Sequence, residues 1–501
     1  MWKTRSQFPT RLSPATLLPA AIQPPVVANF WPDDSPEELA ATVDSLLATV
    51  EPLDGAPIAL IVPSTASDLS AGVAACGFKQ LAAGEYDLVV LIASDHRSPL
   101  TNAVSVWPGK SFTTPLGGMP VDIALAEALV AAAPRIVFAP ETQTRDRLFQ
   151  MPGLFIQRVC PRCPIVPIRL GTADEEAVNA LTEALLSVLA ERRAVIIVSA
   201  DLSCYPHPED VARVDKTVLA ALETANPEAV WATLAAFKGA KMSGPATGLG
   251  DEGSILAAMQ VAQGLGANTT TVLGYANSAN YPQTASDYVV GYGAVMFWRY
   301  DPPDLTATHR ETLLALARAA IAEYLQTGRL PAFQTNDPLL SRRAGVFVTL
   351  RKRALSSKPG QNGPPLSPEM SLRGCIGHLW ADCPLYQVVQ KMAVAAATSD
   401  PRFPPLTPEE LSALGIEISV LSPLHRLTGI EQIEIGVHGL VIAGAGRQGL
   451  LLPQVAVTRG WSREEFLQSL CRKAGLPTDI WPGPAALYAF TTLTFEEEHL
   501  S

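Results

Sequence analysis

Long apolar runs are missing from this chain: no stretch reaches the ~18 uninterrupted apolar residues that a membrane-crossing helix needs, so no membrane span is expected. Lys3, Arg5 and Arg11 precede the apolar stretch 17–27, but Pro19, Pro24 and Pro25 interrupt it and deny it the core of a signal peptide. Cysteine is scarce, and its odd count of seven in 501 residues is no disulfide framework. That usage suits a reducing, cytoplasmic setting. Charge is sparse too, at 17 % of residues, with no basic block. Lys plus Arg is 37 against 48 Asp plus Glu, a net charge of −11 that argues against a DNA- or RNA-backbone binder. What the chain does have is 48 % hydrophobic residues, enough for ordinary cores, and 43 prolines, well above a usual ~5 %. The length suits two large domains or three average ones.

The first half alternates short apolar strands with helical patterns. Strands are expected at 58–62, 88–93, 165–168, 194–199, 270–275 and 289–297, the third of them with Pro167 inside it. Helices are expected at 36–49, 121–132, 175–190, 208–224 and 254–263. This alternation predicts an α/β layered N-terminal domain with a largely parallel sheet between helices. The pattern breaks at Asp301-Pro302-Pro303-Asp304, and a long helix over 306–327 follows. Beyond it, strands at 345–350, 371–377, 416–421, 439–442 and 486–492 mix with helices at 385–398 and 463–474, which predicts an α+β C-terminal domain. Ser356–Ser371, rich in Pro, Gly and Ser, reads as a loop.

Two G-x-G-x-x-G matches lack the context of a dinucleotide fingerprint. Gly248–Gly253 has no strand before it, and Gly444–Gly449 has no long helix after it, so both read as turns. Cys160-Pro-Arg-Cys163 has no second ligand pair for zinc and precedes a strand rather than a helix, so it reads as two ordinary cysteines.

Several longer motifs carry a resemblance. Pro25-Val-Val-Ala-Asn-Phe-Trp-Pro32, Thr114-Pro-Leu-Gly-Gly-Met-Pro-Val-Asp122, Ser199-Ala-Asp-Leu-Ser203 and Val289-Val-Gly-Tyr292 together resemble the Memo family, whose fold is related to class III extradiol dioxygenases. The resemblance implies a Memo-like domain over 22–300. Its metal motifs have changed. Pro63-Ser-Thr-Ala-Ser67 stands where the family carries P-H-A-G-Y, and Ile92-Ala-Ser-Asp-His96 where it carries G-P-S-H-H. Thr144-Arg-Asp146 stands for E-H-S, Cys204 for the His of D-L-S-H, and Ala246-Thr-Gly248 for A-C-G. His96, Asp201 and Cys204 are the candidate metal ligands that remain. Three ligands with an open position would suit iron, copper or zinc. The other reading is a decayed site, since hydroxyls bind such ions poorly. His207 could replace a ligand, but between Pro206 and Pro208 it reads as a loop residue.

The second half carries Leu372-Arg-Gly-Cys-Ile-Gly377, with Phe347-Val-Thr-Leu350, Asp400-Pro-Arg-Phe-Pro-Pro-Leu406, Glu417-Ile-Ser-Val-Leu-Ser422, His438-Gly-Leu440, Leu452-Pro-Gln-Val-Ala456 and Lys473-Ala-Gly475 around it. In this order they resemble the AMMECR-type domain, placed over 311–498 with a linker at 301–310. As a regular strand, 372–377 puts Arg373, Cys375 and Gly377 on one face. A guanidinium beside a thiol favours thiolate, and Arg373 could grip a carboxylate or phosphate. Gly374 and Gly377 would let a ligand near the backbone. Asp400, Arg402 and His438 are further ligand-binding candidates. The competing reading is structural: a buried thiol, tight glycine packing, and Arg373 paired with Asp400 or Glu417.

Both families are associated with a radical S-adenosylmethionine protein, in the AmmeMemoRadiSam system. The resemblance therefore implies a component of that system acting with the radical enzyme. Three readings follow for its chemistry: Arg373 and Cys375 serve a small anionic or nucleotide-like ligand; His96, Asp201 and Cys204 form a metal-dependent dioxygenase-like centre; or the protein is a non-catalytic scaffold.

Overall fold

A computed structural model describes residues 35–53, 55–65, 67–94, 102–140, 148–171, 175–204, 206–239, 247–248, 252–280, 289–301, 304–353, 370–379, 383–427, 429–444, 447–483 and 485–497. The chain divides into two compact units, the first running to Tyr300 and including residues 425–428.

The N-terminal unit is built on β1 (Pro57–Val62), β2 (Leu88–Ser94), β3 (Val104–Val106), a small hairpin of β4 (Ser111–Thr114) and β5 (Gly117–Pro120), β6 (Ile136–Phe138), β7 (Ile165–Leu170), β8 (Ala194–Ser199), β9 (Ser203–Cys204), β10 (Thr247–Gly248), β11 (Thr269–Asn277) and β12 (Val290–Trp298). The main sheet runs β10-β9-β12-β1-β8-β2-β7-β3-β6, with β11 on β12. Its centre, β1-β8-β2-β7, is parallel, whereas β12 joins β1 and β11 antiparallel. Every residue of β2 is buried, as expected of a parallel strand covered on both faces. Two apolar clusters lie on the two faces: one holds Ile61, Val90, Ile196 and Ile255, the other Leu60, Leu91, Ile197 and Phe155.

Most expected elements are found within a residue or two of their places. Pro167 does not interrupt β7. It lies one residue past the last β3 pair, Val106 with Ile168, and its carbonyl still accepts from Trp107 N–H. Helices Asp68–Phe78 and Pro227–Gly239 were not expected. The first is buried from Ser70 to Phe78, so it lacks the polar face that reveals a helix. Cys160 and Cys163, read above as two ordinary cysteines, are joined in a disulfide behind the helix Gln150–Val159.

The C-terminal unit opens with the helix Ala307–Thr327, capped by the Thr306 side chain and ended by Gly328 at φ 71°. One sheet orders β14-β13-β15-β20, from β13 (Gly345–Arg353), β14 (Met370–His378), β15 (Leu414–Leu421) and β20 (Thr492–Glu496). A second orders β19-β17-β18, from β17 (Gly439–Gly444), β18 (Arg447–Leu451) and β19 (Ala486–Phe490), while the two-residue strand β16 (His425–Arg426) belongs to the first unit. The expected single strand at 486–492 is thus two strands in different sheets, with the change at Thr491, whose N–H donates to Ser422 Oγ. Gly444 in β17 pairs with Arg447 in β18, so the second glycine motif opens no long helix. Of Ser356–Ser371, only residues 370–371 are described, and they begin β14.

Val346, Val348, Leu350, Ile416 and Ile418 face the helices Ala307–Thr327 and Leu385–Thr398 in one apolar cluster. Gly374 belongs to this packing. A Cβ there would stand 2.2 Å from the backbone oxygen of Ala396, which cannot move aside. At Gly377 a Cβ would stand 2.2 Å from the Phe347 ring. The space these glycines leave is therefore filled by protein, which corrects their reading as a ligand approach. Gly374→Ala should destabilise the full chain by about 1–3 kcal/mol, as overpacking does. Thermal unfolding checks this, and an unchanged midpoint would contradict the packing role.

Candidate functional site

In the N-terminal unit, β1 and β8 lie side by side and end together, which places the 63–65 loop against Asp201. Asp201 is 4 % exposed. Its Oδ1 accepts from Ser64 N–H at 2.9 Å and Thr65 N–H at 3.3 Å, and its Oδ2 from the Thr65 hydroxyl at 2.5 Å. The loop that departs from P-H-A-G-Y thus supplies hydrogen-bond donors to the carboxylate. Of the other candidate ligands, His96 lies outside the described residues and Cys204 is described only through its backbone, which pairs with Val290 and Thr247. A carboxylate engaged by three neutral donors from a Ser-Thr loop does not fit a transition-metal site. Among the described residues, no three His, Cys, Asp or Glu side chains are grouped to hold an ion. His207 is the N-cap residue of the helix Pro208–Leu222, as its place between prolines suggested.

A second buried acid lies nearby. Asp215 is fully buried, accepts from the Tyr275 hydroxyl at 2.8 Å, and sits over Gly291, where a Cβ would be 2.1 Å from its Oδ2. Burial raises its pKa to about 6, with the Asp201 charge adding to the rise. Folding therefore disfavours ionised Asp215, so stability should fall as pH rises from about 4 to about 6, by about 3 kcal/mol in all. Asp215→Asn should flatten that dependence, and urea unfolding at several pH values checks it.

In the C-terminal unit, β14 is an edge strand, so the backbone of Cys375 has an unpaired side. Asp400 and Arg402 occupy it. Cys375 N–H donates to Asp400 Oδ2 at 2.8 Å, and Arg402 Nη2 donates to the Cys375 carbonyl at 3.3 Å. Arg402 also donates to Asp400 from its backbone N–H, Nε and Nη2, the last at 2.6 Å. These bonds hold the Asp400 carboxyl below the usual carboxylate range against the opposing effect of burial.

The Cys375 thiol accepts from the Thr349 hydroxyl at 3.4 Å. Burial pushes its pKa up, while Thr349, Arg402 and Lys473 pull it down without reversing the shift. Cys375 is a thiol at neutral pH, and the expected thiolate from Arg373 is not found. Lys473, at the end of the helix Arg463–Ala474, is the residue that sequence reasoning missed as a site member. Desolvation lowers its pKa, although the residue is exposed.

Arg373 is elsewhere. Leu350 opposes Gly374 but Arg351 opposes Leu372, so Arg373 is the extra residue of a β-bulge and strand alternation stops there. Its Nη2 and Nε donate to Glu410 at 2.9 and 3.2 Å, and its Nη1 to the Pro404 carbonyl at 3.1 Å. Lys352, on the face of β13 opposite Thr349, shares Glu410 at 2.8 Å. The ion pair is structural, as the competing reading held, but the acid is Glu410 rather than Asp400 or Glu417. The His438 ring is held in its own turn, where Nδ1 accepts from Glu434 N–H, and burial lowers its pKa.

The site is therefore an α/β domain followed by an α+β domain that presents a cysteine on a capped edge strand. Comparison with known proteins agrees with both halves. Residues 23–296 match the Memo-like protein family and residues 314–495 match AMMECR1, so the chain belongs to the Memo-like family and carries an AMMECR1 domain. It is 42 % identical over 202 residues to protein MK0488 of Methanopyrus kandleri, covering 39 % of this chain and 91 % of that one. It is 44 % identical over 197 residues to a protein of Thermococcus gammatolerans, covering 38 % and 90 %. The crystal structure of the uncharacterized protein PH0010 from Pyrococcus horikoshii is 42 % identical, with a TM-score of 0.33, covering 38 % of this chain and 91 % of that one. No helix among the described residues is long and apolar enough to cross a membrane.

Arg373 and Lys352 hold the Glu410 carboxyl down to about 2, so their contribution to stability is present above about pH 4 and lost as pH falls towards 2. Arg373→Met should cost about 3 kcal/mol at pH 7 and flatten that acid dependence, while leaving the rate of Cys375 alkylation, mapped by mass spectrometry, within twofold. A large change in alkylation without a loss of stability would return Arg373 to the thiol.

Proposed function

We propose that the C-terminal domain binds a small anionic ligand beside Cys375, and that the protein acts in this way as a component of the system that includes a radical S-adenosylmethionine protein. The observation that carries the ligand reading is Lys473. No ion pair to a carboxylate holds it among the described residues, while its charge and that of Arg402 both act on the Cys375 thiol. A cation lowered in pKa by desolvation gains from an anion placed against it. Arg402 adds a half-exposed guanidinium whose position is fixed by Asp400. The anion-gripping role expected of Arg373 passes to these two residues. Cys375, protonated and beside the Thr349 hydroxyl, supplies a polarizable wall and a weak donor. The partnership with the radical enzyme rests on the association of the two families. Scaffolding and a dioxygenase-like centre draw no comparable support, since Asp201 is engaged by Ser64 and Thr65.

Titration of the full chain with inorganic phosphate at low ionic strength tests the ligand reading. Lys473→Met should weaken binding about tenfold, a loss of about 1.4 kcal/mol, and added salt should weaken the wild type. Equal affinities in wild type and variant would overturn it.

A further inference from the structure

Glu417 sits in the same row as the thiol. Cys375, Thr349 and Glu417 are direct neighbours across β14, β13 and β15, so their side chains share one face of the sheet. That face is opposite the apolar cluster formed with the helices. Glu417 is only 7 % exposed. Its Oε2 accepts from Arg351 Nη2 at 3.1 Å and Nε at 3.4 Å. Its Oε1 is buried and has no partner among the described residues. A buried carboxylate oxygen left without a donor costs free energy, which a donor brought by a ligand would recover.

Resting on the anion-binding reading above, we infer that the site is two-ended: Lys473 and Arg402 take an acidic group, and Glu417 Oε1 takes an ammonium or N–H donor of the same molecule. The ligand class is then a small molecule that carries both a carboxylate or phosphate and an amine, rather than a simple anion. The thiol and hydroxyl of Cys375 and Thr349 lie between the two ends. Two strand spacings separate the outer members of the row, roughly 10 Å at the backbone. Side chains that lean towards each other shorten that span, so compact and extended amino acids both belong in the test.

The experiment titrates the full chain with 4-aminobutyrate and 6-aminohexanoate against butyrate and hexanoate, which lack only the amine. At least one amino acid should bind about tenfold more tightly than its matched acid, the worth of one charge-assisted hydrogen bond. Glu417→Gln should bring that ratio to about one, and Lys473→Met should weaken the acid and the amino acid alike. If wild type shows no preference for the amine while Lys473→Met still weakens acid binding, the two-ended site is wrong and the anion reading stands. If acid binding is absent or ignores Lys473→Met, the anion reading falls and this inference with it. The wild-type ratio needs no variant, so a poorly folded Glu417→Gln protein leaves the test intact.

Discussion

The open edge of β14 is the constraint on which the C-terminal site depends. An edge strand leaves backbone N–H and C=O groups that must be satisfied by something. At Cys375 both groups are satisfied by side chains, the N–H by Asp400 and the carbonyl by Arg402. Asp400 can do this because its other oxygen and its own turn are tied to Arg402. The result fixes the strand where the thiol emerges without covering the thiol with another strand. It also fixes one of the two cations that act on that thiol. The motif Asp400-Pro-Arg402-Phe403 is thus a cap for the strand and, through Arg402, a wall of the site.

On its other side the same strand is fixed by Gly374. The backbone of the helix Leu385–Thr398 comes so close at Ala396 that no side chain fits. The bulge at Arg373 follows directly before this contact, and it turns Arg373 away from Thr349 and towards Glu410. One buried guanidinium thereby binds the strand to Pro404 and Glu410. Breaking such a pair leaves Glu410 with Lys352 alone, which is a weaker and more exposed arrangement.

The fold was largely legible in the sequence because period-2 and period-3.6 patterns report local burial. Helices 385–398 and 463–474 read to the residue for that reason. The site was legible only in part. Cys375, Asp400 and Arg402 do come together, as the motifs suggested. Arg373 was misplaced because alternation assumes a regular strand, and a bulge adds a residue without any mark in the composition. Gly374 was misread because its partner Ala396 lies on a distant turn of chain. Lys473 stood in plain view within Lys473-Ala-Gly475, but nothing local says that its charge acts on Cys375. Glu417 looked like an ion-pair partner, and half of it is one.

Asp201 and Glu417, the buried carboxylates of the two candidate sites, are treated in opposite ways. In the N-terminal unit Asp201 is surrounded by donors from the loop that departs from the family pattern, so its charge is spent inside the protein. In the C-terminal unit, among the described residues, Glu417 keeps one oxygen without a donor and Lys473 stands in no ion pair with a carboxylate. Opposite charges that could have met each other in one pair instead remain apart across a row of two small polar side chains. An arrangement of that kind is costly when empty and becomes favourable when a molecule brings a charge to each end. This difference, more than the preservation of any single cysteine, directs the search for chemistry to the second half of the chain.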